Sequence, residues 1–419
     1  MNSTRGKASW SRGLFARFGA AFIAATVLMT GGLLFVEHEV EKTIANVKTT
    51  PVTTKPVAPT EPQNFLIIGS DSRDTITDPG EKQALGSDVG HRSDTMMVVR
   101  IDPGLRNVNI MSIPRDLPVT YLNGQTGKIN AVFNDGDKGA QDVIDLLAAP
   151  PFNIPINHYV EIDFNGFKGL VDTVGDINMW FDAPTFDGAP GANGKWETFT
   201  SFAVPTRGCY ALNGEQARAF VRTRHYNEIS PTGKRIEPGG GSDLERTQRQ
   251  QLFMRKLAAK LLASVNGDYD TALDVTDKLL RYVTIDPSMK DDLRRELALI
   301  DIYGDLDPLD PNVVGSFTFP TTTVRKNGTY DIVADWGIDT QIALAPFRTP
   351  PEANSSTTTV PKTKGSTTTG AGATSAPGDT TISTTTAVMN TQVLPEKYMP
   401  DRIFIPKRVD GIDSAATCR

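Results

Sequence analysis

Residues 64–116 constrain the fold most strongly, because three short apolar runs in this segment each meet charged residues at one end. The runs are residues 65–68, 95–101 and 108–113. Short apolar and β-branched runs bounded by Gly, Pro and Asp are typical of β-strands. Asp102, Pro103 and Gly104, between the second and third runs, have the chemistry of a turn. The sequence therefore predicts three strands, the last two of which form a hairpin.

Charged residues are expected to converge at one edge of the sheet that these strands form. A hairpin reverses the chain direction, so Asp94 at the start of the second strand lies beside Arg115 at the end of the third. If the first strand runs parallel to the third, Asp71 and Arg73 leave the sheet at the same edge, with Arg92 nearby. Carboxylates and guanidiniums together suit a divalent cation and an anion such as phosphate. The simpler interpretations are an Asp that bonds its own backbone and an Arg that is solvated or paired.

A second arginine pair, Arg222 and Arg224, follows a short predicted helix that begins after Asn213, a favourable N-cap residue. In extended backbone, residues two apart point the same way, so both side chains could hold one diphosphate through bidentate hydrogen bonds. The alternative is a pair of surface charges at the C-terminal end of a helix, where cations are favourable.

A long helix is predicted over residues 244–265, and Asp243, Arg246 and Gln250 lie on one face of it at positions i, i+3 and i+7. One interpretation is a helix-capping Asp with a salt bridge to the next turn. The other is a network that orients the arginines of the sheet edge. Arg249 lies to the side of this face. The apolar stripe of the helix is assigned to Leu252, Phe253, Leu257 and Leu261.

The N-terminus predicts a membrane anchor. Basic residues precede an uncharged run, residues 18–36, which is long enough to cross a hydrocarbon core of about 30 Å, and acidic residues follow it. This charge order places residues 1–17 in the cytoplasm and the bulk of the chain outside. A cleaved signal peptide is the alternative. Residues 37–62 are predicted to be a stalk that leads to a folded domain over residues 63–348.

Within the folded domain, residues 158–181 read as strand, helix and strand, a pattern that indicates a layered α/β fold. A Gly- and Pro-rich excursion follows over residues 183–208, and a strand near residues 314–319 precedes irregular structure that ends near Phe347. Residues 349–393 are rich in Thr, Ser and Pro and are predicted to be disordered. Residues 394–419 regain apolar side chains and are predicted to dock back onto the domain.

The composition limits the classes of function. The formal net charge of -6 gives no global basic signature for nucleic acid. No GxSxG, Walker A, HExxH or CxxC motif occurs, which argues against serine hydrolases, P-loop enzymes and zinc sites. Cys209 and Cys418 are the two cysteines of the chain, and they can form one disulfide in an oxidising compartment. Two unrelated thiols are the alternative.

Several of these segments together resemble the LytR-CpsA-Psr family of wall-polymer ligases. The matching segments are residues 66–73 (LIIGSDSR), 92–97 (RSDTMM), 112–116 (SIPRD), 128–131 (KINA), 212–224 (LNGEQARAFVRTR) and 243–251 (DLERTQRQQ). Each segment is short, but their order and spacing are specific, and the resemblance covers residues 63 to about 265.

The resemblance implies a three-layer α/β/α core with a central mixed sheet, preceded by one transmembrane helix. It implies transfer of a glycan from a polyprenyl pyrophosphate carrier to peptidoglycan, with a new phosphodiester and release of polyprenyl phosphate. Mg²⁺ or Mn²⁺ would be bound through the acids that match Asp71 and Asp94. The residues that match the family's pyrophosphate-binding arginines are Arg115, Arg222 and Arg224, with Arg73 and Arg92 nearby. The predicted export, the Thr- and Pro-rich segments and the cysteine pair resemble those of actinobacterial members, for which the glycan would be arabinogalactan.

Two other classes of function fit the same residues. A hydrolase that cleaves lipid pyrophosphates with water would use the same edge of the sheet. A non-catalytic, membrane-anchored protein that binds the wall or regulates its synthesis would show no metal dependence and no bound polyprenyl phosphate. Product analysis separates the ligase from the hydrolase.

Overall fold

The structure is a computed structural model. It describes residues 47–58, 60–70, 93–190, 196–197, 200, 202–237, 243–265, 278–290, 309–326, 329–348 and 405–418. The predicted membrane segment, residues 18–36, and the predicted linker, residues 349–393, lie outside these ranges. Within them, no helix is both long enough and apolar enough to span a bilayer.

The chain alternates short strands with helices. The strands are β1 (Lys48–Thr49), β2 (Gln63–Ser70), β3 (Ser93–Asp102), β4 (Asn107–Ile113), β5 (Pro118–Thr120), β6 (Thr126–Lys128), β7 (His158–Asp163), β8 (Ile177–Phe181), β9 (Thr185–Asp187) and β10 (Ala189–Pro190). They continue with β11 (Trp196–Glu197), β12 (Ala203–Val204), β13 (Gly208–Leu212), β14 (Tyr226–Ile229), β15 (Arg235–Ile236), β16 (Thr284–Ile285), β17 (Val314–Thr318), β18 (Thr321–Lys326), β19 (Thr329–Ala334) and β20 (Lys407–Arg408). The α-helices are α1 (Ile129–Val132), α2 (Gly136–Ala148), α3 (Phe164–Val174), α4 (Gly214–Arg222), α5 (Asp243–Val265) and α6 (Ile338–Leu344), and the 3₁₀ turns are Phe133–Asp135 and Ala345–Phe347.

The centre of the fold is a mixed seven-stranded sheet with the order β1-β16-β7-β2-β3-β4-β17. β3 pairs antiparallel with both β2 and β4, so β2 and β4 run in the same direction. β7 is parallel to β2, and β17 is parallel to β4. The structure therefore confirms the predicted hairpin, the parallel direction of the first and third strands, and the mixed α/β class.

Helices cover both faces of this sheet, and the apolar run at residues 65–68 of β2 supplies side chains to both. Phe65 and Ile67 point into one core cluster, which also contains buried residues of α3, α4 and α5 and the inner face of β8 and β13. Leu66 and Ile68 point into the other cluster, together with α1, α2 and Leu344 of α6. Side chains that alternate in direction along a strand fill both layers only when the strand is buried on both faces.

Part of the predicted stalk belongs to the folded domain, contrary to the prediction for residues 37–62. β1 pairs with β16 at the edge of the central sheet, and Val47 and Val52 are buried in the two core clusters. The Lys55 amide donates to the Ile156 carbonyl at 3.0 Å. Prolines suit an edge strand and its extension, which is why a Pro-rich segment can pack here.

β8 follows β7 and α3 as predicted, and it pairs with β13 in a separate three-stranded sheet. Two further predictions need correction. The region after β17 is not irregular, because β18 and β19 form a hairpin and α6 follows. Leu252 does not belong to the buried stripe of α5, since it is 43% exposed, whereas Phe253 and Leu257 are fully buried.

The described part of the C-terminal tail packs on the three-stranded sheet. β20 pairs antiparallel with β13, and the Val409 amide donates to the Cys209 carbonyl at 2.8 Å. Cys209 and Cys418 are joined by a disulfide with a Cα–Cα distance of 5.7 Å. The Lys256 ammonium of α5 donates to the Cys418 carbonyl. The tail thereby connects a sheet and a helix that lie far from it in the sequence.

Candidate active site

The candidate site lies at one edge of the central sheet, where β2, β4, β7 and β17 all end. Ser70 is in register with Asp163 of β7 and with Ser93 of β3. Ser112 near the end of β4 is in register with Thr318 of β17. Ligands of α/β proteins commonly bind outside the carboxyl ends of parallel strands. The register therefore places the start of β3, where Asp94 lies, and the end of β4, two residues before Arg115, at this one edge.

Arg115 lies two residues beyond the end of β4, and its side chain is half-buried. Its backbone carbonyl accepts from the Asn130 amide at 3.1 Å, and its Nε lies 3.7 Å from a carboxylate oxygen of Asp116. Burial raises the pKa of Asp116, but the hydrogen bond from Lys128 and the charges of Arg115 and Arg246 outweigh it, so the pKa is lower than usual. Asp116 therefore stays ionised and holds Arg115 in place.

The second arginine pair stands at the end of α4. Asn213 caps this helix with a complete capping box. Arg222 is the last helical residue, and the backbone becomes non-helical only at Thr223. The condition of an extended backbone, under which both side chains would point the same way, is therefore not met at Arg222. The Arg222 guanidinium stacks on the ring of Phe164, 4.1 Å from its centroid. Phe164 directly follows the end of β7, so this contact brings Arg222 to the sheet edge, whereas Arg224 is exposed.

The first half of α5 connects the end of α4 to the end of β4. Gln250 donates to the Val221 carbonyl at 3.1 Å, and Arg249 donates to the Thr223 carbonyl at 2.6 Å. Gln251 donates to the Ser112 hydroxyl at 2.7 Å. Arg246 is 4% exposed and acts electrostatically on Asp116. Gln250 thus contacts the residue before Arg222, and Arg246 lies near the residue after Arg115; whether they orient the arginines stays a prediction.

The metal prediction depends on residues whose side chains are not described. Asp71, Arg73 and Arg92 lie outside the described ranges, and the side chains of Asp94 in β3 and Asp243 in α5 are not described. Among the residues that are described, no group of three or more His, Cys, Asp or Glu side chains could hold a metal ion. The register places Asp94 at the same edge as Ser70. One or two carboxylates are the usual protein share of a Mg²⁺ shell, and binding through Asp71 and Asp94 stays a prediction.

Two residues of this region were not recognised as important from the sequence. Arg249 was placed to the side of the helix face, yet it reaches the Thr223 carbonyl and stacks on Tyr226 at 4.5 Å. Asp187 ends β9 and is 1% exposed. Burial lowers the pKa of Arg249, and the nearby Tyr226, Glu245 and Asp187 oppose this shift. A guanidinium remains charged in proteins in any case. The spacing of residues within a helix does not predict the contact of Arg249 with a distant carbonyl. A single Asp in a Gly-rich segment likewise does not predict that Asp187 is buried.

Known proteins resemble the chain in sequence and in structure. The profile of the LytR_cpsA_psr family matches residues 34–339. LcpB, a probable cell wall biosynthesis protein of Corynebacterium glutamicum, is 30% identical over 248 residues, which cover 59% of this chain and 52% of the relative. TagU of Bacillus mycoides, a polyisoprenyl-teichoic acid–peptidoglycan teichoic acid transferase, is 31% identical over 227 residues, or 53% of this chain and 61% of the relative. The chain thus spans about half to three fifths of the length of these relatives.

A solved structure supports the same fold. The LytR-Csp2A-Psr enzyme from Actinomyces oris superposes with a TM-score of 0.50 at 19% identity, and the match covers 72% of this chain and 96% of that enzyme. At this level of identity the likeness concerns the fold alone.

Proposed function

The chain belongs to the LytR_cpsA_psr family, and we propose that it transfers a lipid-carried wall glycopolymer to peptidoglycan. The donor would be a glycan joined to a polyprenyl chain through pyrophosphate, and the acceptor a sugar hydroxyl of peptidoglycan. The observation that supports this proposal is the stacking of Arg222 on Phe164, directly after the end of β7, together with the hydrogen bonds from α5 to the carbonyls of Val221 and Thr223 on either side of Arg222. Guanidiniums bind phosphate oxygens through paired hydrogen bonds, and more than one is needed for a diphosphate.

The proposed reaction is a phosphoryl transfer. The acceptor hydroxyl attacks the phosphorus that bears the glycan, the bond from this phosphorus to the bridging oxygen breaks, and polyprenyl phosphate leaves. Negative charge grows on the bridging oxygen, where fixed guanidiniums stabilise it more in the transition state than in the ground state. The hydroxyl proton passes to a carboxylate at the edge, for which Asp71 and Asp94 are the candidates. Mg²⁺ or Mn²⁺ held by these two acids would add positive charge at the phosphate oxygens.

We also propose where the catalytic domain lies and which glycan it transfers. The uncharged run at residues 18–36 supports a single-pass anchor that holds the catalytic domain at the outer face of the membrane, where a lipid-linked donor is presented. Arabinogalactan is the proposed glycan, on the basis of the resemblance to actinobacterial members. Arabinose and galactose in the product linkage would support this choice, and ribitol or glycerol phosphate in their place would contradict it.

The decisive experiment incubates the full-length chain in detergent with the polyprenyl-pyrophosphate glycan, peptidoglycan and Mg²⁺. Mass spectrometry of digested wall then detects the glycan–phosphate–muropeptide linkage. We expect the double variant Arg222→Ala/Arg224→Ala to lose about 10²- to 10³-fold or more in rate. Arg207→Ala is a matched control, because Arg207 also stacks on an aromatic ring, that of Trp180 at 5.3 Å, but on the three-stranded sheet.

The same assay separates the other classes of function. Release of free glycan phosphate at an equal rate without peptidoglycan would identify a hydrolase. Absence of any turnover with retained binding of peptidoglycan would identify a wall-binding or regulatory protein. Near-normal ligation by the double arginine variant would refute the role of the pair even if the chain proves to be a ligase.

A further inference from the structure

We infer, on the basis of the proposed function, that Arg249 and Asp187 are positioning residues that fix the arginine pair in the geometry needed for a diphosphate. They would act on Thr223, which lies between Arg222 and Arg224 and is fully buried. Arg249 approaches this residue from α5, and Asp187 approaches it from β9. Arg249 lies in the family-matching segment 243–251 but is not one of the residues that match the pyrophosphate-binding arginines, and Asp187 lies outside all of the matching segments.

Arg249 holds the backbone of the pair. Its guanidinium donates to the Thr223 carbonyl at 2.6 Å, and the same group stacks on Tyr226 at 4.5 Å from the ring centroid. The Arg249 N–H therefore has a fixed direction, because a planar guanidinium stacked on a ring cannot rotate freely. The Gln250 side-chain amide likewise donates a hydrogen bond to the Val221 carbonyl, at 3.1 Å. The two carbonyls flank Arg222, so the end of α4 is tied to α5 on both sides of this residue.

Asp187 holds the opposite side of the same turn. One carboxylate oxygen accepts from the Thr200 amide at 2.8 Å and from the Thr200 hydroxyl at 3.0 Å. The Thr200 hydroxyl lies 3.1 Å from the Thr223 hydroxyl. The other carboxylate oxygen accepts from the His225 amide at 3.3 Å. Asp187 therefore reaches both Thr223, through Thr200, and the residue that follows Arg224.

The two anchors fix the backbone residue that separates Arg222 from Arg224. The Thr223 hydroxyl is turned inward, since it donates to the Ala219 carbonyl at 3.0 Å. The single proton of the Thr200 hydroxyl then goes either to Asp187 or to Thr223, while the Thr200 amide bonds Asp187 in both cases. With Thr223 held in this orientation, the backbone positions of Arg222 and Arg224 are fixed relative to each other, and the Arg222 guanidinium lies on Phe164 at the sheet edge. A monophosphate needs only one correctly placed guanidinium, whereas a diphosphate needs the spacing between two to be kept. Loss of an anchor is thus expected to affect diphosphate binding more than monophosphate binding.

Binding measurements on the full-length chain in detergent test this inference without a ligase assay. Isothermal calorimetry would compare farnesyl pyrophosphate with farnesyl phosphate for the wild type, Arg249→Met, Arg249→Lys and Asp187→Asn. Arg255→Met is the matched control, because Arg255 lies on the same helix and also donates to a loop carbonyl, that of Leu309 at 3.3 Å. We expect Arg249→Met to weaken pyrophosphate binding between about tenfold and a hundredfold and to leave monophosphate binding near the wild-type value.

Arg249→Lys should recover part of the loss, since an ammonium can still donate to the Thr223 carbonyl but lacks the planar stacking. This variant and Asp187→Asn carry the test if Arg249→Met fails to fold. Equal losses for both ligands, or a loss matched by Arg255→Met, would show a general structural effect and overturn the inference. Wild-type affinity of all the Arg249 and Asp187 variants would overturn it as well. If the wild type itself does not bind farnesyl pyrophosphate, the proposed function fails first, and the inference fails with it.

Discussion

Asp286→Asn is expected to destabilise the domain strongly at neutral pH, because Asp286 is a fully buried carboxylate at the edge opposite the candidate site. One oxygen accepts from the Tyr159 amide at 2.9 Å and lies 3.6 Å from Nδ1 of His158. The other accepts from the Met289 amide at 2.8 Å and from the Ser288 hydroxyl. The carboxylate thus joins the start of β7 to the segment that follows β16.

The expected magnitude follows from this arrangement of donors. An asparagine has one oxygen, so if it accepts from Met289, its amide nitrogen faces the N–H of Tyr159. A hydrogen bond to a charged acceptor contributes about 1.5–3 kcal/mol, and a buried donor left without an acceptor costs about 1–3 kcal/mol. We therefore expect Asp286→Asn to lower the free energy of unfolding by about 3–5 kcal/mol at pH 7.

The effect should depend on pH in a defined direction. Burial raises the pKa of Asp286, but the contacts with His158 and the hydrogen bonds from Ser288 and the Tyr159 amide outweigh it, so the pKa lies below the ordinary value of 3.8. A carboxyl group with a lowered folded pKa stabilises the protein above its unfolded pKa and loses this contribution as the pH falls through the folded pKa. The gap between wild type and Asp286→Asn should therefore be constant near neutral pH and shrink below about pH 4.

Urea unfolding monitored by tryptophan fluorescence measures both quantities, at pH 7 and at a series of acidic pH values. Asp176→Asn serves as the control, because Asp176 is exposed and a surface change of this kind is worth within about 0.5 kcal/mol. A loss below about 1 kcal/mol for Asp286→Asn at pH 7, or a gap that widens on acidification, would refute the reasoning.

Three other substitutions test different contacts of the fold. Cys418→Ser opens the bridge to Cys209, which closes a sequence separation of 209 residues, and should lower the free energy of unfolding by up to about 5 kcal/mol; fast hydrogen exchange of residues 405–418 should accompany it, and unchanged protection would contradict it. Gly214→Ala places a methyl group on the carbonyl oxygen of Lys168, so α4 must shift, with a loss of about 1–3 kcal/mol in thermal unfolding. Phe253→Ala leaves a cavity in the core and should cost about 3–5 kcal/mol by the same measurement, whereas a loss below about 1 kcal/mol would show that the site collapses.

Local signals were sufficient for the elements that form the candidate site. The apolar runs around Asp94 and Arg115 gave β2, β3 and β4 and their directions, because a turn between two strands determines their relative orientation. The Asn213 signal gave the start of α4, because a capping box depends on residues three apart. Chemistry that depends on neighbours in the sequence can be predicted in this way.

Contacts between distant segments could not be predicted. β1 pairs with β16 across more than half of the chain, and β20 pairs with β13 across nearly half of it. Nothing in a two-residue strand marks its partner, because the pairing is stabilised by the surrounding core rather than by strand propensity. The contact between Arg249 and the Thr223 carbonyl belongs to the same class, since a backbone acceptor has no sequence signature.

Helix α5 shows why the apolar pattern misleads at this site. Its buried stripe continues along one side of the helix, but it is polar in the first half, with Arg246, Thr247, Gln250 and Gln251 all buried, and apolar only from Phe253 onward. An apolar stripe assigned from hydrophobic residues alone therefore includes Leu252, which is exposed. At 100° per residue, Leu252 lies about 240° around the helix from Arg246 and faces a different side.

Buried polar side chains in a helix cost stability unless they are hydrogen-bonded. Gln250 and Gln251 donate to the end of α4 and to β4, and Arg249 at the flank of the stripe donates to Thr223. The half of α5 that departs from ordinary helix patterning is thus the half that contacts the arginine-bearing segments. Departures of this kind are expected where a fold is arranged for function rather than for stability alone. For this reason the polar half of α5 belongs to the candidate site, although we do not propose that it touches the reacting atoms.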